Sequence, residues 1–323
     1  MGLTNVVLGM IYKLPLPVEA KKAIGTIALE EKWRPEQVYM SGILTGVIWL
    51  FLGLSGLVKR LARITPVVVV RGIQFGLMLI LLKQAILLMK TSALLSLTSI
   101  ALIVLLMRNR FLPSAIAVFC LGLALAIASA PELELRIGFY LPHLSIPSPS
   151  TISLGLLSAV IAQIVLTFSN AILATCLAIN ERFPERKIDE RSLAINMGVM
   201  NTVLPLIGGI PMCHGAGGFA SQYFFGGRTG GAMMMEGACE LFLALFLSGS
   251  VVEVFGAFPP SIIGAMLLFA SLELGKFIKK VRRSDFALIL LVGVVSLIAN
   301  LALGFLAGLL LSLVLRYSKE EIR

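Results

Sequence analysis

Apolar runs of roughly 17–25 residues, each long enough to cross about 30 Å of hydrocarbon, recur along this chain from Gln37 to Leu315. That pattern removes most folds from consideration. Lipid offers the backbone no hydrogen-bond partners, so such runs must satisfy their own N–H and C=O groups, as helices do. Alternating ten-residue barrel strands are absent from the sequence, and the chain reads as an all-α polytopic membrane protein. Composition excludes a soluble domain: of 323 residues 58% are hydrophobic and 14% charged, with a mean hydropathy of +0.97.

A net charge of +10 would suggest nucleic acid as the partner of a soluble protein. Here the basic residues cluster between apolar runs, at Lys59-Arg60-Arg63, Arg108-Arg110, Arg182-Arg186-Lys187-Arg191, Lys279-Lys280-Arg282-Arg283 and Arg316-Lys319-Arg323. They fall at alternate ends of successive helices, which predicts that these ends and the C-terminus face the cytoplasm. The first ten residues carry no basic n-region and no small-residue cleavage site. Cys120, Cys176, Cys213 and Cys239 stand singly, with His143 and His214 the only histidines, so neither a disulfide framework nor a metal site is expected.

Breakers divide the apolar sequence into a short helix near 18–29 and spans near 37–58, 66–89, 92–107 and 111–130. A connection follows that holds Pro131, Pro142, Pro147 and Pro149. Further spans are expected near 151–180 and 192–209, a short helix near 214–224, then spans near 230–250, 259–277, 284–300 and 301–317. The proline-rich connection divides the chain into halves, 1–150 and 151–323.

Between two of these spans, Pro211 and the small residues Gly215-Ala216-Gly217-Gly218 interrupt the apolar series at membrane depth. Irregular backbone is tolerated there only if it is buried in protein or lines a polar cavity. A helix that starts at such a break aims unpaired N–H groups, and the positive end of its dipole, at whatever lies in front of it. Shifting the sequence on itself by 196 positions lays Asn5 on Asn201, Pro15 on Pro211 and Ala20 on Ala216. The halves therefore read as repeats, with a second break at Leu14 to Lys22. The span near 151–180 and most of that near 192–209 then have no counterpart before Met1; if the complete unit has seven spans, an odd number, the two halves are inverted.

The run Pro211-Met212-Cys213-His214-Gly215-Ala216-Gly217-Gly218, followed by Gln222-Tyr223 and Phe225-Gly226-Gly227-Arg228-Thr229-Gly230-Gly231, resembles the hallmark of the molybdate transporter family. Leu14-Pro15-Leu16-Pro17-Val18-Glu19-Ala20-Lys21-Lys22-Ala23-Ile24 is similar to that family's first motif, and Gln163 to Asn170 to its polar helix. The resemblance implies a seven-plus-seven inverted-repeat transporter fold shared with sulfate transporters and uracil permeases, with interleaved core and gate domains. It also implies an oxyanion substrate held between two half-helices. One departure is Glu19-Ala20, where family members often carry Gln-Pro.

Residue by residue, the first break offers Val18, Glu19 and Lys22. Lys22 is the candidate for the positive charge an oxyanion needs, and Lys21 the one to snorkel to the interface. Glu19 suits a helix start yet repels an anion, so it is expected to pair with a lysine or to bind a proton. The second break offers Cys213, His214 and the amides of Gly215, Ala216, Gly217 and Gly218; the alternative there is helix packing through small residues. Gln163, Thr167 and Asn170, spaced four and three apart, share a helix face and can bond substrate or a neighbouring helix. Glu236 and Glu240 lie about 12 and 18 Å along a helix starting near Arg228, and are candidates for proton coupling.

Secondary transport of a tetrahedral oxyanion across the cell membrane, molybdate foremost, is the function these residues suit. Sulfate or tungstate, a nucleobase, or a nontransporting subunit are the alternatives. No Walker motif and no H-E-x-x-H occur, and Asp189 and Asp285 are the only aspartates, which argues against ATP hydrolysis and intramembrane enzymology. No cofactor is expected. The expected partners are the oxyanion and lipid, with protons and a homodimer left open; nucleic acid is not among them.

Overall fold

The computed structural model describes residues 1–107, 109, 111–129, 136–142, 144–277 and 285–321, with side chains as far as 314 in the last helix. Helices α1 (Gly2–Tyr12), α2 (Lys22–Glu30), α3 (Pro35–Leu54), α4 (Leu57–Ile64), α5 (Val67–Met89), α6 (Ala93–Leu106) and α7 (Ser114–Ser129) precede the proline-rich connection. After it come α8 (Leu154–Leu166), a π-helical stretch (Thr167–Ala174), α9 (Thr175–Arg182), α10 (Glu190–Val203), α11 (Ala216–Phe224), α12 (Gly231–Phe246) and α13 (Val251–Gly256). The last three are α14 (Pro260–Gly275), α15 (Phe286–Ile298) and α16 (Leu301–Glu321). Two three-residue strands, β1 (Val18–Ala20) and β2 (Met212–His214), form an antiparallel ribbon. Pro35–Leu54, Val67–Met89 and the continuous Leu154–Arg182 are long and apolar enough to cross a membrane.

Local sequence sets several boundaries. Pro35 opens α3, where the Gln37 side chain accepts from the Arg34 amide at 2.9 Å. Gly56, at φ 74, ends that segment and turns the chain into α4. Lys59, Arg60 and Arg63 thus lie on an amphipathic helix rather than in a loop, with Val58 buried beneath it. Asp189 caps α10 by accepting from the amides of Arg191 and Ser192 at 2.9 and 3.1 Å. Arg191 in turn donates to the last carbonyls of α3, Gly53 and Leu54. Of the other basic clusters, Arg108-Arg110, Lys279 to Arg283, Arg323 and the side chains of Arg316 and Lys319 lie outside the described residues, as do His143 and Pro131.

Glycines let the helices approach at backbone distance. A Cβ on Gly46 of α3 would stand 2.6 Å from the Thr202 amide, and one on Gly198 of α10 would stand 2.6 Å from the Leu50 amide. The α1–α12 pair repeats the device, a Cβ on Gly9 meeting the Gly230 carbonyl at 2.6 Å. The two pairings are reciprocal. The helix before the first break, α1, packs on α12, the long helix that follows α11, and the helix before the second break, α10, packs on α3, the long helix that follows α2. A second group is formed by α5, α14, α15 and α16, with α6 and α7 against α14.

The structure departs from the sequence expectation at both breaks and within the long polar span. Residues 18–20 are strand and the first short helix begins only at Lys22; likewise His214 belongs to β2 and the second short helix begins at Ala216. Prolines explain both, since Pro15, Pro17 and Pro211 cannot donate to a helix ladder and hold the chain extended. The span near 151–180 carries a π-helical stretch, marked by the Thr175 hydroxyl donating to the Asn170 carbonyl at 2.9 Å, which the apolar pattern did not signal. Lys21 does not snorkel. It is 1% exposed, its ammonium donating to the Thr45 hydroxyl of α3 at 2.5 Å.

The two groups of helices are tied at the end of α9. Glu181 pairs with Arg71 of α5, which also donates to Gln74 at 2.9 Å. The next residue, Arg182, donates to Glu273 of α14 at 2.5 Å and lies over the rings of Tyr223 and Phe277. Glu273 is 3% exposed and also accepts from Lys276 at 2.5 Å, so removing it leaves two cations without their carboxylate. Glu273→Ala is expected to lower unfolding stability in detergent by about 3 kcal/mol, as loss of one partner of a buried pair does; an unchanged melting transition would show that the tie carries no load.

Candidate functional site

At both breaks the chain must leave the helical ladder where lipid supplies no partners, and the two breaks satisfy each other. In the ribbon Val18 stands opposite His214, Glu19 opposite Cys213 and Ala20 opposite Met212, and the Lys21 amide donates to the Pro211 carbonyl at 2.9 Å. Buried asparagines brace each strand from outside. Asn201 accepts from the Met212 amide and donates to the Met212 carbonyl, both at 2.7 Å. Asn5 accepts from the Val18 amide at 2.8 Å and donates to Glu240 at 3.0 Å. The pair that the 196-residue shift superposes thus performs one task twice.

From the ribbon, α2 and α11 lead away in the two halves, and between their starts lies a cavity of about 10 Å³, room for one water. Glu19, Lys22, Gln163, Leu166, Thr167, Asn170, Ala171, Cys213 and His214 line it. The structure therefore gathers seven of the sequence candidates around one space. Its polar groups are unevenly committed. The Gln163 carbonyl oxygen accepts from the Ala23 amide at 3.0 Å and the Ile24 amide at 3.4 Å, capping α2, while its amide donates to Thr167 at 3.0 Å. The Asn170 Oδ1 and the His214 Nε2 are buried without a hydrogen-bond partner. His214 Nδ1 is 3.1 Å from the Pro17 carbonyl, which can only accept, so Nδ1 carries a proton. For Nε2 to donate to an anion, the ring must be doubly protonated.

Charge is concentrated at the first break. Lys22 Nζ lies 3.3 Å from Glu19 Oε2, with the lysine 55% and the glutamate 26% exposed. The Glu19 carboxylate is also set against the start of α11: a Cβ on Gly215 would stand 3.1 Å from Oε2, and one on Gly218 would collide with Oε1. Gly217 instead faces Leu77 and Leu81 of α5, and Ala216 is buried. Val18 contributes its backbone to the ribbon and a buried side chain to the core. Glu236 and Glu240 lie outside the cavity lining. Gln222 of α11 donates to Glu236, and Asn5 holds Glu240 beside a separate cavity lined by Met1 and Tyr140.

Lys21 is the residue the sequence reading underrated. Side by side, two lysines are equivalent in composition, and only the turn from β1 into α2 sends one inward to Thr45 and the other to Glu19. Hydroxyls spaced along α3, Ser41 and Thr45 amid apolar residues, were the available signal.

A family model described as "Molybdate transporter of MFS superfamily" matches residues 1–81 and 155–274. Molybdate transporter 1 of Arabidopsis thaliana is 32% identical over 97% of this chain and 80% of its own length. Molybdate transporter 2 of the same plant is 30% identical over 98% and 80%. Among solved structures, SLC26A9 superposes with a TM-score of 0.64 at 13% identity, over 97% of this chain and 62% of that one. The transmembrane domain of the cyanobacterial bicarbonate transporter BicA gives 0.59 at 17% identity, over 95% and 88%. At such identities these two speak for the fold alone.

Asn201→Ala removes both bonds to the buried Met212 backbone and is expected to cost about 2–4 kcal/mol of unfolding stability. Asn201→Asp, which sets a buried carboxylate oxygen against the Met197 and Met212 carbonyls that the amide now donates to, should lose at least as much. Thermal unfolding of the two purified variants checks the order, and equal stability of both with the unaltered protein would show that the strand needs no brace.

Proposed function

This chain belongs to the molybdate transporter family, and from that premise we propose that it is a secondary transporter of a tetrahedral oxyanion, molybdate, working by alternating access. The oxyanion is held between the starts of α2 and α11. The observation that carries this reading is the small polar cavity where both breaks meet, with the cation of Lys22 in its wall and, next along the chain from Cys213 and His214, the start of α11, which has no side-chain cap of its own. An anion suits that place because first-turn N–H groups and the dipole both favour negative charge. Cys213 and the neutral groups of Gln163, Thr167 and Asn170 complete the wall, and Lys22 supplies the cation.

The reciprocal packing of α1 on α12 and of α10 on α3, with matching asparagine braces, supports an inverted repeat of 1–150 and 151–323. In it the helices around the ribbon act as the core domain and the α5–α14–α15–α16 group as the gate. A cavity of about 10 Å³ is too small for a tetrahedral oxyanion, so this is a contracted state that opens by movement of one group against the other. The protein is a multi-pass membrane protein; the cell membrane and a cytoplasmic C-terminus are the placement its basic clusters support. Glu236 and Glu240 are held by amides of α11 and α1, so a coupling proton at either would act on the breaks through Gln222 or Asn5 rather than by touching substrate.

Uptake of radiolabelled molybdate into proteoliposomes, with tungstate, sulfate and uracil as competitors, tests the substrate class. Tungstate should compete and uracil should not. Gly218→Ala sets a methyl into the space at the α11 start where the oxyanion is placed, overlapping Glu19 Oε1 and 2.9 Å from Pro17 Cγ, and should weaken molybdate binding at least tenfold. Absence of any oxyanion binding, or displacement of label by uracil, would overturn the reading.

A further inference from the structure

We propose that Glu19 is a tethered anion: its carboxylate occupies the place at the α11 start that the oxyanion takes, and the substrate enters by displacing it as the carboxylate takes up a proton. The inference rests on the oxyanion reading above and adds to it a competitor built into the chain. Three observations converge. Both Glu19 oxygens lie against Gly215 and Gly218, the first-turn surface of α11, so closely that a side chain on Gly218 would meet Oε1. Its second contact is Lys22, the cation that lines the cavity, at 3.3 Å. The remaining space holds about one water, while His214 Nε2 and Asn170 Oδ1, both buried and unpartnered, line it. The lysine at the cavity is thus already paired with an anion, and that anion stands against the first turn of α11.

Charge sets the two anions against each other. A divalent oxyanion and an ionised carboxylate compete for one helix start and one lysine, because like charges brought to the same contacts repel. Charged and titratable groups around Glu19, among the described residues, are Lys22 and the inward-facing Lys21, then Cys213 and His214 from β2, and Glu236 of α12. The facing wall from α8 and the π-helical stretch contributes the neutral Gln163, Thr167 and Asn170. Glu19 is therefore the group whose protonation releases both the α11 start and Lys22 together. The step balances simply: one proton from solvent binds a carboxylate oxygen, the Lys22 pair opens, and the dianion takes both contacts. On the opposite side the order reverses.

Glu19→Gln, which keeps the shape and removes the charge, should bind molybdate at least tenfold more tightly than the unaltered protein at neutral pH. The affinity of the unaltered protein should rise as pH falls, and Glu19→Gln should flatten that slope while losing accumulation driven by a pH gradient. Glu19→Asp, whose shorter arm draws back from Gly218, should keep the slope with intermediate affinity, and serves if the glutamine variant fails to fold. His214→Asn should retain the slope, which separates Glu19 from the other titratable group at the cavity. Equal or weaker affinity in Glu19→Gln with an unaltered pH slope would overturn the tethered anion and leave oxyanion transport standing. Failure of the unaltered protein to bind any oxyanion would instead remove the reading on which it rests.

Discussion

Everything at the centre of this molecule follows from one requirement: a chain that breaks its helix inside a membrane must find new partners for its backbone. Each break here finds them in the other, through a ribbon three residues wide, and each strand is then fixed by one asparagine. The bracing is costly to alter because no water is at hand to replace a lost bond. It also fixes where α2 and α11 begin, and so where their positive ends point. A binding site built this way is made mainly of backbone, and its position is set by the fold rather than by side-chain choice.

The two helix starts share a geometry but not a condition. Gln163, reaching across from α8, caps the first turn of α2 and leaves little for a ligand to satisfy there. The first turn of α11 has no side-chain cap of its own, and a carboxylate stands beside it. Glutamate and lysine of the first break thus pair beside the start of the second short helix. The π-helical stretch contributes to the same asymmetry. Its wider turn exposes carbonyls that Thr175 and Gln74 take up, and it sets Asn170 at the cavity with an oxygen unspent.

Much of this was legible in the sequence for definite physical reasons. Apolar runs of bilayer length report helices because hydrocarbon permits little else, and Pro211 with its glycines reports a break because neither residue type continues a helix well. The asparagine pair was visible because buried amides are rare in apolar sequence. The ribbon was not visible, since three residues are too few to show a period of two, and its pairing joins positions nearly two hundred residues apart. The contrast between Lys21 and Lys22 was equally hidden: adjacent identical residues differ only in direction, which the turn from strand to helix decides. The amphipathic α4 escaped notice because its lysine and arginines also read as a topology signal.

The end of α9 has a mechanical meaning of its own. Successive residues of opposite sign, Glu181 and Arg182, are held by two different helices, α5 and α14, which also pack on each other. Any slide of α9 past that pair strains both clasps at once, since neither residue can move without its neighbour. Partial release is therefore poorly available: any displacement that parts the two helix groups here must open both clasps together, as one latch rather than two.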